Sequence, residues 1–198
     1  MKERGVVVAS WYPGKKKLMV FDAVAGMGLV VPDKQYSVGA YIAYYRKEFG
    51  NSNSHSTSLS LLYGSELLKM PEELFKKDIW FVHHVFELCR HFIPLGAPID
   101  SLFELIGALY DMPDALESSF NQKLFLYKLL FLLGVHPEDH THTAAHMHYL
   151  AHASFAMLVN EPGRKLCDED LLTGILRASI FMHPHARSFK TLSFLDRK

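Results

Sequence analysis

The chain has only two cysteines, Cys89 and Cys167, far apart in sequence and in no paired motif. A secreted protein of this length usually carries more, so the scarcity points to a reducing compartment. Long apolar runs are missing too. The longest, "LFLYKLLFLLGV" from Leu124 to Val135, holds Lys128 and is too short to span a bilayer. The opening "MKERGVVVASWYPGKKK" has a four-residue apolar run, short of a secretory core segment. The expectation is a soluble, cytoplasmic protein with no membrane partner. Net charge is also absent, since 21 Lys and Arg balance 21 Asp and Glu. That total argues mildly against a nucleic-acid binder, which usually shows a basic excess.

Distribution matters more than the sum, because phosphate contacts need only a local cationic surface. Lys15, Lys16 and Lys17 are adjacent, and Arg177, Arg187, Lys190, Arg197 and Lys198 enrich the C-terminal segment. The acids gather elsewhere, in "PEEL" at 71–74 and "DEDL" at 168–171. Catalytic signatures are missing as well: the chain has no G-x-S-x-G, P-loop, G-x-G-x-x-G or H-E-x-x-H. Asp22, Asp33 and Asp100 read as isolated. No catalytic residue, resident metal or cofactor is therefore expected, and the chain is not expected to be an enzyme.

What is present is core-forming material. Apolar residues make up 49% of the chain and aromatics 13%, enough for a dry interior without disulfides. Up to about Leu68 the signals are β. "GVVVASWY" precedes the punctuating turn "PGKKK". "KLMVFDAVAGMGLVVP" reads as two strands reversing at the glycines of Ala25–Gly28. "YSVGAYIAYYRKEF" supplies a fourth strand and "TSLSLLYGSEL" a fifth. Five short antiparallel strands suit a small barrel.

After Met70 the period changes to helical. Pro71 takes a first helical position, followed by two acids. Phe75, Ile79, Val82, Phe86 and Cys89 fall on one stripe. Asp100 or Ser101 caps "LFELIGALYDM", and a helix opening at Pro113 stops at Gly134. "DEDLLTGILRASIFMH" and "RSFKTLSFL" complete the helical part. The fold class is α+β: a five-stranded barrel over 1–68, then an all-α domain over 69–198.

"HPEDHTHTAAHMHYLAH", His136 to His152, carries six of the twelve histidines. His142/His146 and His148/His152 are i, i+4 pairs of the kind zinc accepts. On one continuous helix, though, with Met147, Ala151, Phe155 and Leu158 as its apolar stripe, the two pairs face well apart. The plainer reading is a polar helix face. His83, His84 and His91 on the first long helix read as core or boundary residues.

Three helical segments, taken in order behind the five strands, resemble one family. "FVHHVFELCRHFIP", with Glu87–Leu88 near its end, is similar to the first helix of the C-terminal domain of RecO, the bacterial recombination mediator. "KLFLYKLLFLLGVHP", Lys123 to Pro137, resembles that family's leucine-rich segment ending in leucine-glycine and proline. "MHPHARSFKTLSFL", Met182 to Leu195, resembles its C-terminal signature. The resemblance implies an N-terminal OB-fold and non-enzymatic work: binding single- and double-stranded DNA, annealing strands, and helping load the RecA recombinase onto strands coated by single-stranded DNA-binding protein. It also implies two protein partners, RecR and the acidic C-terminal tail of single-stranded DNA-binding protein.

Under that resemblance, Lys15, Lys16, Lys17, Arg187 and Lys190 are the DNA-binding candidates. Trp11, Tyr12, Tyr41, Tyr44 and Tyr45 are possible stacking rings, although a ring on a barrel serves as core just as readily. Lys123 and Lys128 are the candidates for holding the tail's terminal carboxylate. The chain departs from the family in two places. The four-cysteine zinc module is missing, with the histidine run in its position, and "VVPDKQYSVG" keeps only Lys34 of a basic stretch. Two other functions stay open: a metal-dependent hydrolase using the 140–152 histidines, and a helical adaptor without DNA binding.

Overall fold

The structure, a computed structural model, describes residues 2–11, 16–48, 59–135, 149, 152–160, 169–184, 186 and 189. Five strands come first: β1 (Glu3–Trp11), β2 (Lys17–Asp22), β3 (Gly26–Val31), β4 (Tyr41–Glu48) and β5 (Ser60–Lys69). They close in the order β1-β2-β3-β5-β4, with β1 pairing back onto β4. The β3–β5 pair is parallel and the other four are antiparallel. This is an OB-fold barrel, and helices follow it, so the fold is α+β. β5 meets β3 only at Val30 and Val31.

Period-2 alternation sends Val7, Leu18, Val20, Val30, Ile42, Tyr44 and Leu62 into the barrel interior, where they form one buried cluster. The β2–β3 reversal differs from the expected glycine turn. Residues 23–25 make it, and Asp22 holds it by accepting the backbone N–H groups of Val24, at 2.9 Å, and Ala25. A short carboxylate can close a turn on its own backbone without a glycine. Gly26 instead opens β3 with φ +71°, and a Cβ there would lie 2.3 Å from the Ala97 carbonyl.

By contacts the chain divides into two compact units, Met1–Glu72 with Val85–Phe103, and Glu73–His84 with Glu104–Lys198. In the first unit, residues 95–103 lie against the outside of the barrel. Leu95 bridges to Met27, Gly96 N–H donates to the Met27 carbonyl at 2.8 Å, and Phe103 meets Phe21 edge-on at 5.8 Å.

The helices are α1 (Glu72–Phe92), α2 (Asp100–Asp111), a 3-10 turn (Ala115–Glu117), α3 (Ser119–Leu132), α4 (Phe155–Asn160) and α5 (Glu169–Phe181). Pro71 sits one position earlier than expected, as the N-cap of α1. The stripe read along α1 is broken. Asp78 is non-helical (φ −147°, ψ 83°), and its carboxylate accepts Phe81 N–H at 3.0 Å. It thus caps a fresh helical start. The phase shifts there, so Ile79 is exposed, and Phe81, Val82, Val85, Phe86 and Cys89 are buried.

α3 is the central helix of the second unit, with ten of its fourteen residues buried. Its Phe125 meets Phe81 at 5.7 Å and Phe155 at 5.4 Å. It begins at Ser119, later than the proline at 113 indicated, because residues 115–117 form the 3-10 turn. Gly134 (φ +68°) ends it as expected: Val135 N–H donates to the Leu130 carbonyl and Gly134 N–H to that of Phe131. The continuous helix drawn through 142–158 is interrupted at residues 153–154, where the Ser154 hydroxyl accepts Met157 N–H and starts α4.

Candidate nucleic-acid interface

Five strands with the OB connectivity present an outer β1–β2–β3 face, and its two ends differ here. At one end Phe21 and Met27 are covered by residues 95–103. At the other end Trp11 and Lys17 are directly opposed in the β1–β2 register, so their side chains share a face. Lys17 and Trp11 are half-buried and Lys16 is exposed. The Arg90 guanidinium, from the last turn of α1, lies over the Trp11 ring at 5.4 Å. An aromatic ring among three cations has the makings of a stacking and phosphate-binding surface.

Lys15, Arg187, Lys190 and Tyr12 lie outside the described residues. Of the five cations expected to bind DNA, Lys16 and Lys17 are therefore the two among the described residues. The rings separate by environment. Tyr44 is fully buried, and its hydroxyl donates to Asp22 at 2.8 Å, so it serves the core and no ligand. Tyr41 is half-buried, 6.2 Å from Phe103. Tyr45 is 39% exposed and stacks on Tyr63, itself 47% exposed, at 5.5 Å. Lys2 sits 5.8 Å from the Tyr45 ring and pairs with Glu66 at 2.8 Å. An acid thus already answers that lysine on the β4–β5 face.

The aspartates are less isolated than their spacing implied. Asp22, with a side chain 2% exposed, accepts from Tyr44, Arg46 and two backbone amides. Arg46 also pairs with Glu3 at 3.0 Å. Burial works against the Arg46 charge, but Tyr44, Asp22 and Glu3 outweigh it and raise its pKa. Burial and the Asp22 charge push the Tyr44 phenol far up and keep it protonated. Asp33 accepts the Ser65 hydroxyl and the Ser65 N–H, the latter at 3.1 Å. Burial raises the Asp33 pKa, and the Ser65, Asp33 and Lys34 hydrogen bonds more than offset this and hold it below the ordinary value. The two carboxylates are satisfied structural polarity.

In the second unit, the two lysines proposed for the tail carboxylate are buried. Lys123 Nζ donates to Glu169 Oε1 at 2.9 Å, and the Ser119 hydroxyl donates to the same oxygen at 2.8 Å. Lys128 Nζ donates to the Ala153 carbonyl, and burial lowers its pKa. A ligand carboxylate reaching Lys123 has to displace Glu169, which is partly exposed.

Of the six histidines in the run only His152 is described; it is exposed and lies edge-on to Phe131 at 6.0 Å. Among the described residues no three His, Cys, Asp or Glu side chains gather to hold a metal. His84 is fully buried, and His83 meets Phe75 at 6.1 Å. Cys89 is buried and its thiol is pushed up to about 12, which leaves it unreactive at neutral pH.

Arg90 and Tyr63 were not singled out from the sequence. Tyr63 could have been found, because it alternates with Leu62 on a strand. Arg90 had no such signal, since only tertiary folding brings it to Trp11. No family model matches the chain, and a comparison with curated proteins returns no match. Among the described residues no helix is long and apolar enough to cross a membrane.

Proposed function

We propose that this chain is a DNA-repair protein of the RecO type, which binds and anneals single strands and helps load RecA onto strands coated with single-stranded DNA-binding protein. One observation carries the reading: a closed OB-fold barrel precedes a helical region, and the open end of its β1–β2 face bears Trp11 with Lys16 and Lys17. That surface binds strands without sequence readout, by ring stacking and phosphate attraction. Nothing in the work requires a covalent step. The order of the barrel and the three RecO-like helical segments supports the assignment. A cytoplasmic location accompanies this work.

RecR and the acidic tail are the protein partners that go with the reading. The tail site rests on Lys123 and Lys128. In it a carboxylate replaces Glu169 on Lys123, and a phenylalanine enters the apolar surroundings of α3.

Fluorescence anisotropy of a labelled oligonucleotide, at low and at physiological salt, tests the proposal. A complex held by phosphate contacts weakens as salt rises. An unlabelled acidic peptide ending in proline-phenylalanine is then added, and Lys123→Ala is expected to abolish its binding. Peptide binding with no oligonucleotide binding would favour the adaptor. Stoichiometric zinc together with hydrolysis lost in His142→Ala would favour the hydrolase.

A further inference from the structure

We infer that Arg90 of α1 belongs to the strand-binding surface, so that a bound strand runs over Trp11 at the β1–β2 end of the barrel and touches the helix as well as the sheet. The inference rests on the strand-binding reading above and locates it.

Three observations lead to it. Arg90 is exposed, and its guanidinium sits 5.4 Å from the centre of the Trp11 ring. Lys17 opposes Trp11 across the β1–β2 ladder, with exposed Lys16 beside it, so cations flank the indole from the sheet and from the helix. The opposite end of the face is covered: Phe21 lies against Phe103, Met27 is tied to Leu95 and Gly96, and the Gly26 backbone abuts Ala97. Among the described residues, a strand laid along β2 and β3 is blocked at the Phe21–Met27 end and meets cations toward Lys17.

The alternative aromatic patch, Tyr45 with Tyr63, fits a polyanion less well. Its rings are stacked on each other, and its nearest lysine is neutralised by Glu66. At the Trp11 end, a base stacks on the exposed part of the indole while Arg90 polarises the ring and reaches a phosphate. Both interactions suit guanidinium better than ammonium, because its plane can stack and its fork can hydrogen-bond.

The test uses the full chain carrying Trp80→Phe, which leaves Trp11 as its only tryptophan. A short oligothymidylate is titrated while tryptophan emission and the anisotropy of a labelled strand are followed. Trp11 emission is expected to fall on binding. Arg90→Ala is expected to weaken binding by about tenfold and to make the plot of log K against log salt shallower by about 0.7. Arg90→Lys should keep the salt slope and lose part of the affinity. Arg4→Ala, exposed near the other end of β1, should change neither. Binding that leaves Trp11 emission unmoved, or an Arg90→Ala variant with unaltered affinity and slope, overturns the inference while strand binding stands. A parent chain with no salt-sensitive binding overturns both.

Discussion

Four donors converge on the Asp22 carboxylate: the Val24 and Ala25 amides, the Tyr44 hydroxyl and the Arg46 guanidinium. The Asp22 side chain is 2% exposed and that of Arg46 11%, so removing the carboxylate leaves a cation short of its main partner inside the barrel. Asp22→Ala is expected to cost about 3 kcal/mol by urea unfolding. A loss under about 1 kcal/mol would mean that solvent or Glu3 replaces Asp22 readily. Asp33 makes the opposite test, being exposed. Its pKa is depressed in the folded state, so the stability it adds is present above its unfolded value of about 3.9 and is lost as pH falls through the folded value. Asp33→Asn should destabilise by less than about 1 kcal/mol at pH near 7, because solvent screens the pair. The gap should narrow as pH falls below that unfolded value and through the lower folded one. A gap that persists there would assign the effect to shape instead of charge. Neither network was visible as spacing: Asp22 meets Tyr44 and Arg46 only once β1, β2 and β4 have closed around them.

At the scale of elements, the strands were legible because period-2 patterning and short polar turns report directly on a half-buried sheet. Gly134 was legible for a similarly local reason, since a helix end at positive φ favours a residue without Cβ. α1 was legible only in part. Its residues keep helical spacing on both sides of Asp78, so a periodic reading runs through a break that the aspartate itself makes. Asp78→Ala should remove the cap and cost about 1 kcal/mol, with Asp78→Asn retaining most of the stability. Thermal melts of the two variants check it, and equal melting points would deny the capping role. The same kind of local competition starts α4 at Ser154 and interrupts the helix expected through the histidine run.

For the whole molecule, zero net charge turns phosphate binding into a question of placement. Lys16, Lys17 and Arg90 are the described cations around Trp11. Three phosphate contacts predict a slope of log K against log salt of about −2 for a single strand. A measured slope near zero would remove the strand-binding reading, and a much steeper one would call for cations beyond these three. Composition, period and turn chemistry were enough to determine a barrel followed by helices, because each is set by contacts between near neighbours in the chain. Tertiary structure alone decided which polar groups meet. It put Tyr44 inside, placed Arg90 over Trp11, set Glu169 on Lys123 and laid residues 95–103 across Phe21 and Met27. Those pairings join residues far apart in the chain, and no local pattern encodes a distance of that kind.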